Sequence, residues 1–150
     1  MKEPVVCNST CLIVLDRIAH LHLLNALFEP CAVPPKVYQE SGVTAPWITV
    51  MAPTNIALVQ MLNAVVDPGE AEAIALALEK GWRLIIDDRK ARRWACQLGV
   101  TVMGTIAVLI QAKRAGLVPA IKPLLTAMKA VGFYISVSLE QEALLLANES

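Results

Sequence analysis

Short apolar runs that each break off into a helix-starting turn constrain this chain more than any other feature. Pro4–Cys7 leads into Asn8-Ser9-Thr10, Cys31–Val33 into Pro34-Pro35, Arg83–Ile86 into Asp87-Asp88, and Val100–Val102 into Gly104-Thr105. A strand that is apolar on consecutive residues is buried on both faces, and a parallel sheet covered by helices buries its strands in that way. Trp47–Met51 adds another segment rich in strand formers. Strands alternating with helices in this manner predict an α/β fold with a central, mostly parallel sheet in a three-layer sandwich.

The intervening helices carry their own signals. Leu12, Leu15, Ile18 and Ala19 recur at helical spacing, and a second helix is predicted over Leu21–Phe28. Pro34-Pro35 opens a helix to about Glu40, because proline is tolerated in a first turn. Thr54 or Asn55 caps a helix through Val65. Asp67-Pro68-Gly69-Glu70 places a cap, a first-turn proline and a glutamate three residues on, which is a capping box. That helix is predicted to reach Lys80 and stop at Gly81. Further helices are predicted from Asp87-Asp88 to Leu98, from Gly104-Thr105 to Gly116, over Pro119–Val131 and over Leu139–Asn148, with an edge strand at Phe133–Ser136.

The 150 residues fit one domain spanning 1–150, and 56% of them are hydrophobic against 17% charged. A chain of this size fills a core without a disulfide or metal staple. Its zero formal net charge exerts no general pull on nucleic acid or membrane, so any such binding needs a local patch. The uncharged stretches Ser41–Val66 and Trp94–Ala112 are interrupted by proline, glycine, asparagine or glutamine, so they read as buried elements and not as membrane spans. Asp16 is reached without a long apolar run, so no signal peptide is expected and the location is predicted to be cytoplasmic. Cys7, Cys11, Cys31 and Cys96 form no Cys-x-x-Cys pair and read as buried reduced thiols. His20 and His22 point to different helix faces and read as surface or packing residues.

Parallel sheets bind ligands beyond the carboxyl ends of their strands. Asn8–Thr10 and Asp87-Asp88 fall there. Clustered carboxylates repel one another unless a divalent cation joins them, and an oxygen-only cluster suits Mg²⁺ or Mn²⁺, which can position a phosphodiester and activate water. Against this, one of Asp87 and Asp88 is expected simply to cap the next helix. Glu70 and Glu72 lie about 200° apart around a helix and cannot share a target within it. Glu70 has the capping box, whereas Glu72 has no evident structural task. Glu40 closes its helix at the end where a carboxylate opposes the dipole. Arg89-Lys90-Ala91-Arg92-Arg93 could grip a phosphate backbone or present a solvated face, with Arg93 a candidate partner for a carboxylate of the site. Trp82 and Trp94 are expected in packing.

At this point the order of the segments resembles the PIN-domain family. Val-Val-Cys-Asn-Ser-Thr-Cys-Leu-Ile (5–13) is similar to the family's opening strand and turn, and Gly-Glu-Ala-Glu-Ala-Ile-Ala-Leu-Ala (69–77) to its central helix. Leu-Ile-Ile-Asp-Asp-Arg-Lys-Ala-Arg-Arg (84–93), Gly-Thr (104–105) and Ala-Lys-Arg-Ala-Gly-Leu (112–117) resemble one prokaryotic branch of it. The resemblance implies a flavodoxin-like sandwich and Mg²⁺- or Mn²⁺-dependent RNA cleavage, often as the toxin of a toxin–antitoxin pair. By position it assigns Asn8, Glu40, Glu72 and Asp88 to the four acidic sites, with Asp87 beside the fourth and Thr105 near the site. Asn8 departs from the aspartate usual there, and an amide oxygen ligates a hard cation without contributing charge.

The sequence therefore predicts a metal-dependent endoribonuclease. Glu40, Glu72 and Asp88 are expected to hold the ion and orient water, Asn8 and Asp87 to assist as ligands, and Thr105, Arg92 and Arg93 to contact substrate. The competing class is a non-catalytic nucleic-acid-binding or regulatory protein with a weakened metal site. RNA, a possible antitoxin protein and a second copy of the chain are the expected partners. The homodimer is inferred from apolar helical residues such as Leu124-Leu125 and Leu144-Leu145-Leu146.

Overall fold

A computed structural model describes residues 2–150. In chain order the elements are β1 (Glu3–Cys7), α1 (Ser9–Arg17), α2 (His22–Leu27), β2 (Phe28–Val33), α3 (Pro35–Ser41), β3 (Ile48–Val50) and α4 (Ile56–Asn63), then α5 (Pro68–Lys80), β4 (Arg83–Ile85), α6 (Arg89–Gln97), β5 (Val102–Met103), α7 (Thr105–Arg114), α8 (Lys122–Ala130) and α9 (Val137–Leu146). All five strands are parallel, in the order β3-β2-β1-β4-β5. Parallel neighbours need long crossovers, which the helices supply. The central strand β1 ends in register with both neighbours, Val6 paired to Ala32 of β2 on one side and Cys7 to Ile85 of β4 on the other. Their carboxyl ends thus form one edge, to which Asn8 and Asp87-Asp88 are attached.

The core runs through the sheet. Val5, Val6, Cys7, Leu84, Ile85 and Ile86 are fully buried, as consecutive apolar strand residues require. Helices α3 and α4 each pack on α5 and α1 on α3, while α7 packs on α2 and α9. Helix α5 is the best-determined element from sequence. Asp67 accepts from the Glu70 N–H at 2.8 Å and the Glu70 side chain accepts from the Asp67 N–H at 3.2 Å, closing the expected capping box, and Gly81 ends the helix in the left-handed conformation at φ 69°. Asn55 caps α4 by accepting from Leu58 N–H.

Several expectations are corrected. Phe133–Ser136 is a loop and not an edge strand: the turn after α8 directs it over the core, with Ile135 buried, and Ser136 caps α9. Strand β5 begins at Val102, and α8 begins at Lys122. Cys7, Cys11 and Cys31 are buried as expected, but Cys96 is exposed on α6. Leu124, Leu125 and Leu144 belong to the core, leaving only Leu145 and Leu146 of those leucines exposed. Trp82 and Trp94 are half-buried against the core. Among the described residues no helix is long and apolar enough to cross a membrane.

Candidate metal centre at the carboxyl edge

The edge is built from four helix starts. Asn8 ends β1 and occupies the cap position of α1, and its backbone N–H donates to Ile85 O of β4 at 3.0 Å. This bond fixes the first turn of α1 against the turn that carries Asp87 and Asp88. The Asn8 side chain does not cap, although its residue type suits that role. It is only 5% exposed, and its Oδ1 has no hydrogen-bond partner.

Helix α5 enters β4 and therefore runs back against the strands, which brings Asp67, Gly69 and Glu70 to the same edge. Helix α3 lies across it. Its first-turn residue Lys36 donates a backbone N–H to Glu72 Oε1 at 2.9 Å, and its last turn places Glu40 against Gly69. Glu72 thus has a structural task that its sequence position did not disclose: one of its oxygens satisfies a first-turn amide of α3. Glu40 is exposed as a residue, but partial desolvation of its carboxyl pushes its pKa up, with the nearby Asp67 and Glu72 charges adding to the rise and Lys36 and the Ser9 hydroxyl opposing it. A β-carbon at residue 69 would stand 2.5 Å from Glu40 Oε2, so glycine is what permits this approach.

Glu70 is the residue whose proximity sequence reasoning missed. It caps its helix, as expected, yet it is also buried and within electrostatic reach of Asp88. Burial raises its pKa to about 7; the Asp67 N–H bond offsets part of the rise, and the charges of Asp67 and Asp88 add to it. The signal was available: a capping box at a helix start facing the strand ends puts its own carboxylates at the edge. Carboxylates consequently follow one another across the site, from Glu72 to Glu40, Asp67, Glu70 and Asp88. Among the described residues, no three Asp, Glu, His or Cys side chains close on a single point in the manner of a filled metal site.

The acidic pair divides its work. Asp88 caps α6, with Oδ2 accepting from Ala91 N–H at 2.9 Å, so the expected capping role falls on this residue. Asp87 is held by α7: Oδ1 accepts from Thr105 N–H at 2.8 Å and Oδ2 from the Thr105 hydroxyl at 2.6 Å. Burial raises the pKa of Asp87, opposed by those two bonds and by the Arg92 charge. Arg92, and not Arg93, is the arginine beside a site carboxylate; it also donates to Ile86 O at 3.2 Å, while Arg93 is exposed. A β-carbon at Gly104 would lie 3.0 Å from both Asp87 Oδ1 and Arg92 Nη1, so the absence of a side chain makes room for both groups.

The donors here are all hard oxygens, the ligand type of Mg²⁺ and Mn²⁺. The unpartnered buried Oδ1 of Asn8 fits the same chemistry, since a buried acceptor without a partner costs about 1–3 kcal/mol and a cation would satisfy it. Glu72 neighbours Glu40 and Glu70 neighbours Asp88, so one ion held by Glu40, Glu72, Asp88 and Asn8 Oδ1 would require these side chains to draw together.

The fold is an all-parallel sheet whose carboxyl edge carries acidic side chains and the buried Asn8. The family model described as PIN domain matches residues 4–149, nearly the whole chain, and the chain belongs to that family. A search of curated proteins gave no match.

Proposed function

We propose that this protein is a divalent-metal-dependent endoribonuclease, acting as one domain over its length and without insertion in a membrane. The observation that carries this reading is the buried, unpartnered Asn8 Oδ1 at the end of β1, tied through its backbone to the β4 end and flanked by the acidic starts of α5 and α6. Membership of the PIN-domain family supports the nuclease class. A bound Mg²⁺ or Mn²⁺ supplies Lewis acidity and a water of lowered pKa. Glu40, Glu72 and Asp88 hold and orient that centre, with Asn8 an uncharged ligand. Asp87, saturated by Thr105, fixes the β4–α6 turn to α7 more than it serves as a free ligand. Thr105 therefore acts through Asp87, and Arg92 and Arg93 face the RNA from the same side. A cytoplasmic role as the toxin of a toxin–antitoxin pair fits this chemistry.

Cleavage of a labelled RNA in Mn²⁺ tests the reading. Wild type is expected to cut, and Asp88→Asn and Glu72→Gln are expected to lose activity by two orders of magnitude or more while remaining folded by circular dichroism, the range seen when transition-state charge stabilisation is removed. Both side chains keep an oxygen that can accept the helix-start amide, so capping survives. Full activity in both variants would contradict the assignment.

A further inference from the structure

The cavity that opens on Asp87 extends well past the acidic edge. It has a volume of about 800 Å³ and runs between α6, α7 and α9 to the loop after α8. Arg89, Arg92 and Arg93 line one side of it and Phe133 and Tyr134 the other. Tyr134 is 84% exposed, the highest among the large hydrophobic side chains left on the surface. Neither the core nor any hydrogen bond among the described residues accounts for that ring.

We propose that this cavity is a base-binding subsite for single-stranded RNA, in which Tyr134 stacks a nucleobase flanking the scissile phosphate and Arg89 and Arg93 hold the backbone between that base and the metal edge. The inference rests on the nuclease reading above. Three features favour a nucleotide as occupant. The cavity reaches Asp87, the sequence neighbour of Asp88, so it lies next to the acidic edge. Its three arginines outnumber the acidic Asp87 and Glu142 in the lining; Arg92 donates to Ile86 O, and none of Arg89, Arg92 and Arg93 is in an ion pair among the described residues. Its far wall offers an exposed aromatic face, which accepts the face of any base, whereas bases paired and stacked in a duplex present none. Phosphate contacts then supply salt-dependent affinity, and stacking supplies the dependence on a base.

The test uses the full chain and a fluorescent eight-nucleotide single-stranded RNA, beside the same strand with abasic positions. Affinity is read by anisotropy in chelator and as KM for Mn²⁺-dependent cleavage. Wild type should prefer the base-bearing strand by roughly tenfold, Tyr134→Ala should remove that preference, and Tyr134→Phe should retain it. Arg93→Ala should weaken both strands alike and reduce the salt dependence. Cleavage or binding in which Tyr134→Ala leaves the preference intact, or in which wild type shows none, overturns the subsite and leaves the nuclease reading standing. A wild type that shows neither binding nor Mn²⁺-dependent cleavage overturns both.

Discussion

Asn8 and Gly69 show how single residues set this site. Asn8 stands where the PIN-domain resemblance implies aspartate, and its amide is buried without a partner. Gly69 works by what it lacks. In the first turn of α5 it leaves the gap that Glu40 Oε2 fills. Helix propensity alone favours alanine over glycine by up to about 1 kcal/mol, so the two effects pull in opposite directions. Gly69→Ala should leave thermal stability unchanged or higher while weakening Mn²⁺ binding, and in a Glu40→Ala background it should have no further effect on Mn²⁺. Undiminished Mn²⁺ affinity in the single variant would show that the Glu40 approach is irrelevant to the ion. The sequence disclosed the positions of Asn8, Glu40 and Asp88 and named Asp87 and Thr105 as neighbours. It did not disclose the bond from Lys36 N–H to Glu72 or the choice of Arg92 over Arg93. Both depend on how one helix lies across another, which no local spacing encodes.

At the scale of elements, α5 was legible from end to end because its stop and start are chemical: a capping box, a first-turn proline and a left-handed glycine. The Phe133–Ser136 segment was not, because a short apolar run reads alike as strand or as loop packed on a core. The burial of its capping glutamate makes α5 pH-sensitive. Glu70 keeps its proton to about pH 7 in the fold, whereas the unfolded chain releases it near the ordinary value of 4.5. The native state then binds more protons across this window, so stability is fully present below about 4.5 and declines as pH rises towards 7. The raised values of Glu40 and Asp87 act in the same direction. Thermal melts in chelator should show that decline, and Glu70→Gln, which can still accept the Asp67 N–H, should flatten part of it. Stability that rises from pH 5 to 7 would contradict the assignment.

For the whole molecule, composition announced more apolar surface than one core uses, and only part of it lies where the leucine runs pointed, at the exposed Leu145 and Leu146. Leu124 and Leu125 are interior, whereas Val50, Ile56 and Met61 are exposed along β3 and α4, within the uncharged stretch Ser41–Val66. A largely apolar face of this kind can meet its own copy across a two-fold axis. We expect a homodimer through this face at micromolar concentration by light scattering, with Ile56→Glu or Met61→Glu monomeric and folded; a monomeric wild type would contradict it. The fold itself was legible because buried parallel strands leave a pattern that few other architectures share.

The central claim is that the carboxyl edge holds a divalent cation and that Asn8 limits its affinity. Isothermal titration of Mn²⁺ into wild type and Asn8→Asp tests it directly. An added carboxylate supplies the charge the amide lacks, so Asn8→Asp should bind about tenfold or more tightly, and its thermal stability should depend on Mn²⁺ more strongly than that of wild type. Equal affinities, with no difference in Mn²⁺-dependent stability, would place position 8 outside any metal site and contradict the account.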